Sequence, residues 1–295
     1  MLSKRSFAAP VGLVAVFVLA GARAQTHALT ILHHERLANL EFVGAKDGTA
    51  VHDDADAESV GAHKPAALRA ADATEPRIRF TAFGREFSAE LEPNDRLLQG
   101  LAPKQRAALR EIELYRGRLD GAPSSWIRLS RHGAEISGAI WDGFDLYGIE
   151  PAKRVRAALV APAAETGHEP IIFRYRDTTG ALTDKLIVRP TDESEPVALR
   201  AFATLGSTLP DISQLDIGLV ADFKFFEYVG GETTPAMLDA INVADGIFVE
   251  QVGLHLNVAA IVVHEEEEDP FSGRDGQELL RDLEAYKGGT PPSRH

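Results

Sequence analysis

Leu215-Asp216-Ile217-Gly218-Leu219-Val220-Ala221-Asp222 and Leu254-His255-Leu256-Asn257-Val258-Ala259-Ala260-Ile261-Val262-Val263 decide the fold of the C-terminal part of the chain. Each is a short apolar run of strand length, suited to a sheet covered on both faces. Between them Thr234 offers an N-cap and Pro235 a first helical residue. Met237, Ile241, Ala244, Phe248 and Val252 then recur at steps of four and three, which predicts a helix with one apolar stripe. Gly253 ends it as a left-handed cap. Beyond the second run, Asp275 and Glu278 make a capping box for another helix. Leu279, Leu280 and Leu283 are its expected core face, and Gly288-Gly289 its end. Strand, helix, strand, helix is the order of a parallel α/β layer.

The rest of the 295 residues must supply something else. Hydrophobic content of 44% with 25% charged residues is ordinary for a folded protein, and the length allows two domains. A net charge of −13 and a pI near 5.2 exclude nucleic acid and anionic membrane surfaces as natural partners, because neither is attracted to an acidic surface. There is no cysteine, so the core holds without disulfides.

Residues 1–24 read as a secretory signal. Lys4 and Arg5 form a positive start, Ala8 to Ala20 an apolar run, and Ala22-Arg23-Ala24 a tail with small residues where a signal peptidase reads. Cleavage is expected between Ala24 and Gln25, with export to the periplasm or the outside. The apolar run falls short of the ~20 residues that span a bilayer, so no membrane anchor is expected. Residues 25–76 are an N-terminal segment followed, from Asp47, by a loop poor in large apolar residues. His33-His34-Glu35 lies at a strand end; adjacent side chains on a strand point to opposite faces, so the pair reads as exposed rather than metal-binding.

Residues 77–188 read as antiparallel β. Ile78, Phe80 and Ala82 alternate, as do Phe87, Ala89 and Leu91, with Gly84 between them, giving a hairpin. Asp95 to Arg110 is helical or irregular. Strands are predicted at Ile112 to Leu119, Trp126 to Ser130, Glu135 to Trp141 and Phe144 to Glu150, separated by Gly- and Asp-rich turns. Ile171 to Arg176 and Leu182 to Val188 suggest a further hairpin through Thr179-Gly180. Residues 189–211, with Pro190, Pro196, Pro210 and Asp192-Glu193-Ser194-Glu195, are an exposed linker, and 212–295 the α/β part.

The C-terminal part also carries Leu219-Val220-Ala221-Asp222, Phe225-Phe226-Glu227-Tyr228, Ile241-Asn242, Gly253-Leu254-His255-Leu256, Glu268-Asp269-Pro270-Phe271 and Glu278-Leu279-Leu280-Arg281-Asp282-Leu283. In their order and spacing these resemble the first half of a reprolysin-type (ADAM- or adamalysin-like) metzincin protease domain. Upstream, Phe83-Gly84-Arg85-Glu86-Phe87, Leu91-Glu92-Pro93-Asn94, Tyr115-Arg116-Gly117, Gly121-Ala122-Pro123-Ser124-Ser125-Trp126, Gly138-Ala139-Ile140 and Tyr147-Gly148-Ile149-Glu150-Pro151 resemble the propeptide that precedes such domains. The resemblance implies an α+β chain: an antiparallel β-rich propeptide domain, then an incomplete β-α-β-α subdomain. It also implies a secreted zinc metalloendopeptidase precursor, whose propeptide packs on its own catalytic domain and whose full-length form takes protein or peptide substrates. Propeptides of this family often cap the zinc with a cysteine; with none here, latency must come from steric cover or another ligand.

Metzincin chemistry needs three histidines on one zinc and a glutamate to activate the bound water. The first two histidines come four apart on a helix, in His-Glu-x-x-His. No two histidines of this chain are four apart. His264-Glu265-Glu266-Glu267-Glu268 starts correctly but ends on glutamate, follows a strand and adjoins Pro270. No catalytic residue and no zinc ligand is therefore assigned, and this polypeptide is expected to be inactive by itself, its resemblance ending before the zinc helix. Glu265 to Asp269 could gather calcium but reads as a solvated loop. Asp216 aligns with an acidic residue that binds a structural calcium in many relatives, the other ligands coming from later in that domain. Asn242 and Asp245 read as local hydrogen-bonding groups of their helix. Two other functions compete: a propeptide-like inhibitor or folding aid for a related protease, and a secreted β-rich structural protein.

Overall fold

The computed structural model describes residues 30–37, 39–43, 76–160, 169–179, 213–273 and 276–286. They form an α+β protein of two compact units. The first unit holds residues 30–94 and 113–179. The second holds 95–112 and the described residues from 213 onward. Cleavage at Ala24 and Gln25, the linker 189–211, the strand Leu182 to Val188, the Asp275 cap and Gly288-Gly289 lie outside the described residues.

The first unit is built from short strands: β1 (Thr30–Ile31), β2 (His34–Arg36), β3 (Glu41–Val43), β4 (Arg77–Ala82), β5 (Arg85–Pro93), β6 (Ile112–Leu119), β7 (Trp126–His132), β8 (Glu135–Trp141), β9 (Leu146–Pro151), β10 (Pro170–Arg174) and β11 (Thr178–Thr179). Nine of them make one sheet in the order β2-β10-β9-β8-β7-β6-β5-β4-β3, and β1 pairs with β11 beside it. From β4 to β9 this is the expected meander. The burial of β4 alternates strictly, with Ile78, Phe80 and Ala82 inward, as its period-two pattern requires. Phe80 stacks on its cross-strand partner Phe87 at 4.8 Å. Phe87 on β5 also meets Tyr147 on β9 edge-on at 5.2 Å. Those strands stand four places apart in the sheet, roughly 19 Å if it were flat. The sheet must therefore curl, and its inner face closes on one core that includes Phe80, Phe87, Ile127, Leu129, Ile149 and Ile172.

Two local differences from the sequence expectation have simple causes. Strand β10 stops at Arg174, short of the expected Arg176, because Tyr175–Asp177 coils into a 3-10 turn in which Thr178 N donates to the Tyr175 carbonyl. Phe144 stays outside β9 and is 78% exposed, because Asp142 pulls the preceding turn tight by accepting from Phe144 N at 2.8 Å and Asp145 N at 2.6 Å. The β4–β5 turn has positive φ at both Phe83 (51°) and Gly84 (71°), the geometry that matches strand twist in a two-residue hairpin. Phenylalanine is strained there. Glu35 Oε2 accepts from Phe83 N at 2.7 Å, and the Arg174 guanidinium lies 4.7 Å from the ring, which holds it.

The second unit contains α1 (Pro103–Ala108), β12 (Ser213–Ala221), α2 (Phe223–Val229), α3 (Thr233–Val252), β13 (Leu254–Val263) and α4 (Gly276–Tyr286). Strands β12 and β13 run parallel, with a bulge that leaves Ala259 between the Ile217–Val258 and Gly218–Ala260 partners. Val220 packs with Phe271, Leu279 and Leu283. Gly253 is left-handed at φ 67°, as its place after the α3 stripe predicts. Thr234 is not the cap. A 3-10 turn at Gly230–Glu232 runs straight into α3, which starts at Thr233 with no side-chain cap. Leu280 is 50% exposed and Val252 56%: Leu279 and Leu283 occupy the inward stripe four residues apart, which turns Leu280 outward, and Val252 is the last residue of its helix.

The segment Asp95–Ile112 stands between β5 and β6 in sequence, inside the span 77–188, yet it groups with the α/β unit. Leu97, Leu98 and Leu101 are all buried.

Candidate functional site

The buried side of α3 is centred on polar residues. Leu238, Ile241, Asn242, Asp245 and Gly246 face inward at steps of three and four, and Asn242 and Asp245 are fully buried. Asp245 does not serve its own helix alone. Its Oδ1 accepts from Arg96 Nη2 at 2.7 Å and from Leu256 N at 3.0 Å, with His255 Nδ1 3.8 Å away. Arg96 Nη1 donates to the Leu256 carbonyl at 3.0 Å. One guanidinium thus spans a carboxylate and a backbone carbonyl, the fork geometry that arginine supplies. Four residues on, Gly100 N donates to Asn257 Oδ1 at 2.8 Å. A Cβ at Gly100 would lie 2.6 Å from Asn257 Nδ2 and 2.7 Å from the Val258 carbonyl oxygen, so only glycine fits. Arg96, Leu97, Leu98, Gly100 and Leu101 therefore lie against β13 as an anchored segment.

Asp216 stands at the outer end of this network. It is exposed on β12, and its Oδ1 accepts from Asn257 Nδ2 at 2.6 Å and Gln214 Nε2 at 3.1 Å. Asn257 is its register partner on β13. Two amide donors on one carboxylate oxygen make an amide clamp, not the all-oxygen shell that calcium takes. Among the described residues, no group of three His, Asp or Glu side chains is arranged to hold a metal ion. Zinc does not fit His264-Glu265-Glu266-Glu267-Glu268 either. His264 follows β13 with its ring against Phe271 and Tyr286, at 5.6 and 6.0 Å, while Glu265–Glu268 are exposed and outside any helix.

A second polar group sits at the carboxyl ends of the two strands. Asp222 caps α2, accepting from Phe225 N at 2.8 Å through Oδ1, while its buried Oδ2 has no hydrogen-bond partner. Asp269 accepts from Phe223 N at 2.5 Å and Phe271 N at 2.8 Å. Burial, with the nearby Asp269 charge, pushes the Asp222 carboxyl above its ordinary range. Between that range and the raised value the folded state holds more protons than the unfolded chain, so stability grows as pH falls through the window. Asp222→Asn, which keeps the cap and drops the charge, should raise the melting temperature at pH 7 and give no gain near pH 4. Asp222→Ala should cost about 1 kcal/mol of cap at both. Thermal melts at the two pH values check this; an equal gain for the asparagine variant at both would contradict it.

Sequence reading did not single out Arg96 or Gly100. Nothing in Asp95-Arg96-Leu97-Leu98-Gln99-Gly100-Leu101 marks a pair that lies 149 residues from its partner. No family model matches the chain, and no curated protein matches it in sequence.

Proposed function

We propose that this chain is the leading part of a secreted, reprolysin-like zinc metalloendopeptidase precursor, and that it has no hydrolase activity of its own. The observation that carries this is the β12-α3-β13-α4 order with a parallel strand pair, joined to a meander that lends the segment Asp95–Ile112 to the α/β unit. A propeptide that steadies its catalytic domain would contribute such a piece. Export through cleavage at Ala24–Gln25 belongs to the same proposal; no helix among the described residues is long and apolar enough to cross a membrane. Zinc would serve the full-length form, with ligands that this chain does not carry, and calcium at Asp216 is not retained in the proposal.

The test is zinc stoichiometry after dialysis, together with hydrolysis of casein and of a peptide library. The expected result is neither retained zinc nor hydrolysis. Stoichiometric zinc with chelator-sensitive cleavage would overturn the inactivity. The family assignment is tested separately, by reading the coding sequence beyond the codon for His295 in all frames for His-Glu-x-x-His. The same Asp95–Ile112 placement favours a second reading, a propeptide-like inhibitor or folding aid acting on a related protease. Stable capture of a full-length reprolysin by the purified chain would select it.

A further inference from the structure

We propose that Asp222 and Asp269 act as a carboxyl pair that holds one proton between them, and that uptake of this proton fastens residues 264–273 to the start of α2. The pair lies within the α/β unit, and the proposal does not depend on the protease assignment. Both carboxylates grip the first turn of the same helix. Asp222 Oδ1 accepts from Phe225 N at 2.8 Å and Asp269 Oδ2 from Phe223 N at 2.5 Å, two residues apart. Asp269 Oδ1 also accepts from Phe271 N at 2.8 Å, so one side chain ties the segment after β13 to the helix. Asp222 is 1% exposed, and its Oδ2 is buried with no hydrogen-bond partner. When ionised, that oxygen is a buried acceptor without a donor, and a second negative charge stands nearby. A proton from solvent that joins Oδ2 relieves both. It cancels the like-charge repulsion and makes Oδ2 a donor. Asp269 accepts one backbone N–H on each oxygen and has lone pairs left to receive it. Burial above all, with the Asp269 charge, raises the Asp222 carboxyl in keeping with this. Lys224 on α2 opposes the rise, but its Nζ donates to the Gly273 carbonyl at 3.1 Å. After β13, His264 lies with its ring against Phe271, and Glu265–Glu268 are exposed. On α4, Asp282 holds Ser272 N and Gly273 N at 2.7 and 2.8 Å. Acid ordinarily loosens a contact made by a carboxylate; here it tightens one.

Amide hydrogen exchange in the full-length chain, corrected for the intrinsic effect of pH, tests the latch. As pH falls from 7 to about 4, protection of Phe223 and Phe271 should rise by about fivefold, the factor that one net hydrogen bond supplies. Ile241, in the middle of α3, should gain less. Asp222→Asn keeps the pair at one negative charge and should show the raised protection at both pH values. Asp269→Asn should abolish the rise and move the Asp222 titration, followed by carboxyl carbon NMR, to lower pH. In the unsubstituted chain the same NMR titration should show coupled, two-step curves for the two aspartates. Should Asp269→Asn fail to fold, those curves decide the matter: independent single-step titrations would overturn the pair. Protection that stays flat or falls on acidification, an equal gain at Ile241, or a rise that survives Asp269→Asn would overturn the latch.

Discussion

Asp245→Ala is expected to destabilise the α/β unit by about 3 kcal/mol. The loss has two parts. The Arg96 guanidinium loses its carboxylate while its side chain stays four-fifths buried, and Leu256 N loses its acceptor. Removing one partner of a buried pair costs more than the pair contributes, because the remaining charge is left unsolvated. The partial exposure of Arg96 keeps the figure at the lower end of the range for buried pairs. Asp245→Asn keeps an oxygen for Leu256 N and should lose about half as much. Hydrogen exchange at Leu256 and across Asp95–Leu101 localises the effect, and thermal melts size it. If exchange at Arg96–Leu101 is unchanged in Asp245→Ala, the ion pair does not hold that segment.

Gly138→Ala is expected to be the most damaging single-methyl change in the β-rich unit, at about 4 kcal/mol. Gly138 has φ 143°, a region that L side chains rarely enter. An added Cβ would sit on the Arg128 carbonyl oxygen and 2.9 Å from Leu129 Cα, both backbone atoms of the neighbouring strand. No side-chain rotation relieves that clash, so β7 and β8 must separate at the centre of the sheet. Gly121→Ala is the control. It also has positive φ, 72°, but nothing lies within 4 Å of its Cβ, so only the conformational cost of about 1 kcal/mol applies. Chemical denaturation of the three proteins measures the difference. Equal losses for the two variants would mean that φ alone, and not the close approach of β7, sets the requirement at Gly138.

Gly138 shows how far the sequence could be read. Gly138-Ala139-Ile140 lies in a run that reads as a strand, and the strand Glu135 to Trp141 has its observed bounds. Why glycine is needed there depends on a carbonyl of β7, which periodicity within β8 cannot reveal. Asp142 is similar. It reads as turn chemistry, yet it also accepts from Tyr147 Oη at 3.1 Å and Arg85 Nη1 at 2.5 Å. Burial alone would raise its carboxyl, but the bonds from Asp145 N, Phe144 N, Tyr147 and Arg85 outweigh it and hold the group below the ordinary range.

The sequence by itself determined the elements. Alternation over β4 and β5, turn residues between β6, β7, β8 and β9, the left-handed glycine that ends α3, and the apolar runs of β12 and β13 are all local signals. Each depends on the two- or 3.6-residue period of its own backbone. Of the expected α3 stripe only Met237 and Ile241 are buried, while Ala244 and Phe248 are half-buried and Val252 is exposed. Only the tertiary structure decided which face of α3 is buried, that Asp245 takes an arginine from a segment between β5 and β6, and that Asn257 joins Gly100 to Asp216. Those choices pair groups 41 to 160 residues apart, and the energy that fixes them is the cost of leaving a carboxylate, an amide or a guanidinium buried without a partner. That cost arises only once the chain has closed around the group, so no window of sequence contains it.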